Sequence, residues 1–376
     1  MQRFHKRFSP EEVERARRYH RPRYVALAAD LALGLATLAL LALTAVGDRL
    51  FGVLGPLPWW GRALAFPALV VAVSTAARLP LSVWSGYLHE KRWNFSTQSL
   101  GAWAADRLKS FAVGVTLTAL PLFGLVALAR ALPHAWPLAA AAGAAALVLV
   151  LSLAGPVVLE PLFNRFSTLA DPALAAELRD LAERAEVPVR EVLVADASRR
   201  TRKENAYVSG LGRTRRVVLY DTLLERAGPP ELRLVVTHEL GHRRMRHVAK
   251  GTALAMAGTA AAVLVLWALV PEPESPRSAP LVLLVAALLE FAAAPAGAAL
   301  SRRWERAADR FSLELTGDRE TYVATHRALA LANLADLDPP RALYLLLFTH
   351  PTPPERIAAA GAVPRSSSPD AGGARE

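Results

Sequence analysis

Six apolar blocks, at approximately 24–46, 63–84, 110–132, 137–158, 252–270 and 280–300, constrain the fold more than any other feature of the chain. Each is long enough to cross a bilayer core as a helix, which takes about 20 apolar residues. Backbone polar groups in lipid must be satisfied internally, so blocks of this length read as transmembrane helices. The first four are joined by short links and form an N-terminal membrane domain, 1–159. The last two form a hairpin, at about 252–300, around Pro271-Glu272-Pro273-Glu274-Ser275-Pro276. The polar regions on either side of that hairpin read as one domain, 160–363, and the Ser-, Gly-, Pro- and Ala-rich residues 364–376 as a disordered tail. The expected fold class is therefore mainly α: a polytopic membrane protein of about six spans carrying a water-facing α+β domain.

Basic residues set the orientation. Eight Lys and Arg (Arg3, Lys6, Arg7, Arg15, Arg17, Arg18, Arg21, Arg23) precede the first span, and only Arg49 and Arg62 follow it. Lys91, Arg92, Arg107 and Lys109 mark the next loop, and Arg130 alone the one after. The region 160–250 is again Arg-rich, whereas the loop 271–279 carries one Arg. This alternation places both termini and both polar regions in the cytoplasm; in a bacterium the membrane is the cell membrane. The first apolar run, beginning near Tyr24, is too long for a signal-peptide core and reads as an uncleaved span. The formal charge of +11 has the same source: its Lys and Arg sit beside apolar blocks, as contacts for topology and anionic lipid. They are not interleaved with exposed aromatics, and no nucleic-acid partner is expected. With no cysteine in the chain, disulfides, thiolate ligands and a cysteine nucleophile are excluded.

Within 160–250, a helix is expected over 172–186 behind the N-cap Asp171, and a short strand at 192–194. A hairpin pairs 205–208 with 216–220 around Gly210-Leu211-Gly212-Arg213. A helix then runs from about Pro230 to about Lys250 through His238-Glu239-Leu240-Gly241-His242. Residues four apart share a helix face, so both imidazoles reach one ion, and Glu239 can point at its open position to take a proton from water. Gly241 costs about 1 kcal/mol against Ala inside a helix, which is sensible where another element approaches closely.

A third ligand must come from elsewhere. His247, five positions after His242, falls off the helix face and reads as a juxtamembrane cation. Beyond the sixth span, Glu305 and Asp309 lie on one helical face, brought back beside the motif by the membrane hairpin. One carboxylate can bind the ion while the other accepts the free N–H of a ligand histidine. In His350-Pro351-Thr352-Pro353-Pro354 the prolines make a stiff turn that can present His350 to an oxyanion. Asn205 alone is a strand-start residue. Glu290, inside the sixth span, is an expensive group there and marks a function or a pairing.

Taken as a set, Phe8-Ser9-Pro10-Glu11-Glu12, Pro161-Leu162-Phe163-Asn164, Asn205-Ala206-Tyr207, Leu219-Tyr220-Asp221-Thr222-Leu223-Leu224, the His238 motif, Glu305 with Asp309, and His350-Pro351 with Pro354 and Arg356 resemble the CAAX prenyl protease type 1 family. These are polytopic membrane zinc endopeptidases of gluzincin type. The resemblance implies one zinc ion on His238, His242 and Glu305, with Glu239 as base. It implies Asp309 behind a ligand histidine, Arg356 supporting the site, Asn205 and His350 contacting substrate, and a peptide or protein substrate, lipidated or membrane-inserted. Six visible spans, against seven in eukaryotic members, depart from that pattern. Two other readings compete: a membrane quality-control endopeptidase, and a scaffold or transporter with structural zinc. A structural site has four protein ligands, and only three plus a base are found.

Overall fold

The computed structural model of the protein describes residues 7–210 and 215–362. Leu211, Gly212 and Arg213 of the expected hairpin loop, and the tail at 364–376, lie outside the described residues. Six helices are long and apolar enough to cross a membrane: Pro10–Leu43, Trp59–Arg92, Leu100–Ala131, Trp136–Phe163, His247–Leu269 and Pro276–Thr316. Each covers nearly all of one apolar block, and most of the excess helix lies at the end facing the polar regions. Successive spans alternate in direction, so these extensions emerge on the same side.

The first extension shows how local chemistry makes them. Ser9 caps the helix: its Oγ accepts from the Glu12 N–H at 3.2 Å while Glu12 Oε2 accepts from the Ser9 N–H at 2.8 Å. Pro10 opens the first turn, where its missing N–H costs nothing. Phe8, buried beside Ala16, Ala330, Leu337 and Ile357, pins this start to the C-terminal helices. The Phe8–Glu12 motif is thus a capping box with an apolar anchor. It starts the helix 14 residues before the apolar run at Tyr24.

The polar region folds around a four-stranded sheet of order β1-β2-β4-β3, with β1 Phe166–Thr168, β2 Glu191–Ala195, β3 Ala206–Ser209 and β4 Arg216–Tyr220. β2 and β4 are parallel, and the outer strands pair antiparallel to them. Inward-facing Val192, Val217 and Leu219 pack with Leu178 and Leu181 of helix Pro172–Arg184 and with Leu232, Val236 and Leu240 of the motif helix, Pro229–Arg244. The expected helix 172–186, strand and hairpin are present, whereas β1 is too short to leave a periodic signal. The expected continuous helix to Lys250 breaks at Met245–Arg246, where Arg246 turns left-handed at φ 57°. The fifth span, His247–Leu269, starts immediately afterwards. Glu290 is exposed on the sixth span and forms no ion pair among the described residues.

Candidate metal centre

The motif helix lies directly against helix Ala279–Thr316, the continuous helix that begins as the sixth span. Gly241 makes that approach possible, since a Cβ there would meet Phe311 Cδ1 at 3.0 Å and the Ala308 backbone Cα at 3.3 Å. Three side chains converge across the contact. His238 Nε2 and His242 Nε2 are 3.2 Å apart, His238 Nε2 is 3.3 Å from Glu305 Oε2, and His242 Nε2 is 3.2 Å from Glu305 Oε1. Ligands about 2.0–2.1 Å from a tetrahedral ion sit about 3.3–3.4 Å apart, so this triangle has the size of one coordination site. Glu305 Oε2 is also buried with no hydrogen-bond partner, a costly state that a cation would relieve.

Asp309, one turn after Glu305, takes His238 Nδ1 at 3.0 Å and the Arg356 guanidinium, which donates to both carboxylate oxygens. That leaves the His238 Nε2 lone pair for the centre. Arg356 comes from helix Pro353–Ala359, whose N-cap Thr352 closes a capping box with Glu355. His350 is more exposed, with Nε2 3.3 Å from Glu305 Oε1. Glu239 is half-buried. Desolvation pushes its carboxyl above the usual range, against the pull of His238 and His242, and among the described residues no side-chain hydrogen bond ties it up. Asn205 stands exposed just before β3, its Oδ1 accepting the Ala206 N–H at 3.0 Å, and it touches none of the three ligand candidates.

The expectation for His247 needs correcting. It is buried, its Nδ1 lies 3.0 Å from His242 Nδ1, and its ring stacks on Trp304 at 4.9 Å. On an unbroken helix it would face away; the left-handed Arg246 turns it back under the site. Arg302 also went unnoticed in the sequence. One turn before Glu305, it is buried and donates to Tyr344 O at 2.9 Å and Phe348 O at 2.6 Å, fixing the segment that ends in His350. Its signal was hidden in a run of four charged residues among Arg302, Arg303, Glu305 and Arg306, where nothing local marks the one that faces inward.

Two imidazoles a turn apart, a buried carboxylate facing both and a second carboxylate beside them form a candidate metallohydrolase centre, on a chain with six helices long and apolar enough to cross a membrane. The chain belongs to peptidase family M48, which matches residues 168–363. Residues 2–165 match the family described as CAAX prenyl protease N-terminal, five membrane helices; among the described residues, four helices there are long and apolar enough to span. A protein of Bacillus subtilis described as the uncharacterized metalloprotease YhfN is 31% identical over 309 residues, 79% of this chain and 72% of that one. CAAX prenyl protease 1 of Saccharomyces cerevisiae is 29% identical over 190 residues, 50% of this chain and 42% of the relative, so less than half of that protein is spanned. The fold is similar to the crystal structure of S. mikatae Ste24p, with TM-score 0.79 at 21% identity over 94% of this chain and 90% of the other. The protein is a membrane metalloprotease resembling CAAX prenyl proteases.

Proposed function

We propose that the protein is a zinc endopeptidase that cleaves lipidated or membrane-inserted proteins at the His238–His242–Glu305 centre, with residues 1–159 as its membrane domain and 160–363 as its peptidase domain. The observation that carries this is the ligand triangle, with edges of 3.2–3.3 Å and an orphaned carboxylate oxygen. Two nitrogens and one oxygen in tetrahedral spacing suit zinc, and three protein ligands leave a position open for reaction. When bound, the ion supplies Lewis acidity, polarising a peptide carbonyl and making water nucleophilic near neutral pH.

The side chains of the chain do the rest. Glu239 takes the proton from the attacking water and returns it to the leaving amine. Asp309, clamped by Arg356, keeps the His238 Nδ1–H engaged and so fixes that tautomer. His350, at the rim of the site, donates to the oxygen on which charge develops. Asn205, at the head of β3, meets the substrate backbone. The Lys and Arg alternation supports a cytoplasmic position for this domain and both termini.

The test incubates the purified, zinc-loaded protein with a farnesylated peptide ending in a CAAX box and, separately, with an unfolded membrane protein. Release of the terminal tripeptide, lost by at least about 1,000-fold in Glu239→Gln at unchanged zinc content, is the expected result. Cleavage of only the unfolded protein would make this a quality-control endopeptidase. Full activity in Glu239→Gln would remove the catalytic reading.

A further inference from the structure

β3 is one of the two edge strands of the sheet and lies against the motif helix, and glutamates from two membrane spans grip its two ends. Glu90, near the end of the second span, accepts from Lys203 Nζ at 2.8 Å and from the Tyr19 hydroxyl at 2.6 Å. Lys203 is three residues before β3, lies 4.7 Å from the Phe95 ring centroid and also donates to Tyr19 at 2.9 Å. Glu160, at the end of the fourth span, accepts from Ser209 Oγ at 2.8 Å and Tyr207 OH at 3.4 Å, and faces the Arg216 guanidinium of β4 at 3.3 Å. The first span, through Tyr19, completes the grip at the entry to β3.

Both glutamates come just after the same rare backbone feature. A π-turn at Trp84–Leu88 precedes Glu90 and another at Gly155–Leu159 precedes Glu160; these are the two π-turns among the described residues. A π-turn inserts an extra residue into a helix, rotates the residues C-terminal to it, and is frequent at functional sites. Here each one re-aims the last turn of a span so that a carboxylate points at β3.

The strand they hold is tied to the catalytic helix. Asn205 O accepts from the Tyr220 N–H at 3.0 Å, so alternation turns the backbone groups of Ala206 and Val208 away from β4. Val208 O instead accepts from Arg243 Nε at 3.1 Å, and Arg243 is one turn after Glu239. A slip of β3 by one residue, about 3.3 Å, would shift any chain paired with it by a whole peptide bond relative to the metal ligands.

We infer that Glu90 and Glu160 are positioning residues for substrate: they suspend the β3 edge between two membrane spans, in a register that delivers the scissile bond of an extended peptide to the centre. The inference rests on the peptidase reading above. Ion pairs of this kind add little net stability over well-packed apolar replacements, whereas removing one partner leaves the other buried and uncompensated, so melting temperature is followed beside substrate turnover in the test.

The test measures KM and kcat of the full-length, zinc-loaded protein on the farnesylated CAAX peptide, alongside zinc content and melting temperature. Glu90→Ala and Glu160→Ala are expected to lower kcat/KM about tenfold, with product masses showing cleavage one residue away beside release of the tripeptide, the pattern of a substrate held out of register. Glu90→Gln and Glu160→Gln, whose amide oxygens still accept from Tyr19 and Ser209, recover most of that loss at the same zinc content. Unchanged kcat/KM in the alanine variants, a loss of kcat/KM with the cleavage position unchanged, or glutamine variants as poor as alanine would overturn the inference. If an alanine variant fails to fold, the comparison of the glutamine variants with the parent decides: a kcat/KM within error of the parent and an unchanged cleavage position in both overturns it, and a reduced kcat/KM with some cleavage one residue away supports it. A parent protein that cleaves neither the CAAX peptide nor an unfolded membrane protein refutes the peptidase reading itself, a different result from any of these.

Discussion

His247 shows what a single residue adds to the centre. His238 is backed by a carboxylate, Asp309, whereas His242 is backed by another imidazole, at 3.0 Å between the two Nδ1 atoms. Only one of those nitrogens can carry the proton, and a His242 that donates keeps its Nε2 lone pair free for the centre it shares with His238 and Glu305. Trp304, stacked on His247 with an interplanar angle of 8°, holds the acceptor ring in place. Partners of this kind are worth about 10–100-fold in metal affinity. His247→Ala should therefore weaken zinc binding by about that factor in a competition with a chelator, and His247→Asn, which retains an acceptor, by clearly less. Equal affinities in parent and alanine variant would show that His247 only fills space. The five-residue offset of His247 from His242 correctly excluded it from the same face of a straight helix. Nothing local in Arg243-Arg244-Met245-Arg246 announces that the helix stops being straight.

At the scale of elements, the site is a contact between two helices, and Gly241 sets their separation. The helix penalty of glycine in the motif already suggested a close approach; the structure supplies the neighbours, Ala308 and Phe311. Gly241→Ala should gain about 1 kcal/mol in helix propensity and lose about 1–3 kcal/mol by overpacking. The expected change in melting temperature is accordingly small. The metal site has no such offset, because pushing the helices apart widens the distances from Glu305 to both histidines. Zinc affinity should fall at least about tenfold in Gly241→Ala, measured by the same chelator competition. A variant with native affinity would mean that the Phe311 ring yields without moving the backbone. The Glu305–Asp309 pair was readable because an i, i+4 repeat and a returning hairpin are both linear features. Arg302 and β1 were not, since the one is a charge among charges and the other is three residues long.

For the whole molecule, the consequential feature is that the spans do not end at the membrane. The sixth runs on as Ala279–Thr316 and carries Glu305 and Asp309, so a metal ligand candidate and a membrane anchor share one rigid element. The first runs from Pro10 and packs through Phe8 and Ala16 on the C-terminal helices. The absence of cysteine makes the proposed orientation directly testable, because any introduced thiol is alone. In intact cells, an impermeant maleimide should label Glu274→Cys in the loop between the last two spans. It should label Arg190→Cys, in the peptidase domain, only after permeabilisation; the reverse pattern would invert the topology.

By itself the sequence determined where the chain crosses the membrane, the helix that carries the two histidines, and the residues able to complete the ligand set. These are one-dimensional signals: runs of apolar residues, positions four apart, charges that alternate from loop to loop. Tertiary structure alone decided that His247 turns back beneath His242, that Arg302 faces inward, and that Glu90 and Glu160 grip the ends of β3. Each of these depends on a local departure from regular helix, whether a left-handed residue or a π-turn, or on partners more than 40 residues away. Their energies are settled by packing, which no periodicity along the chain records.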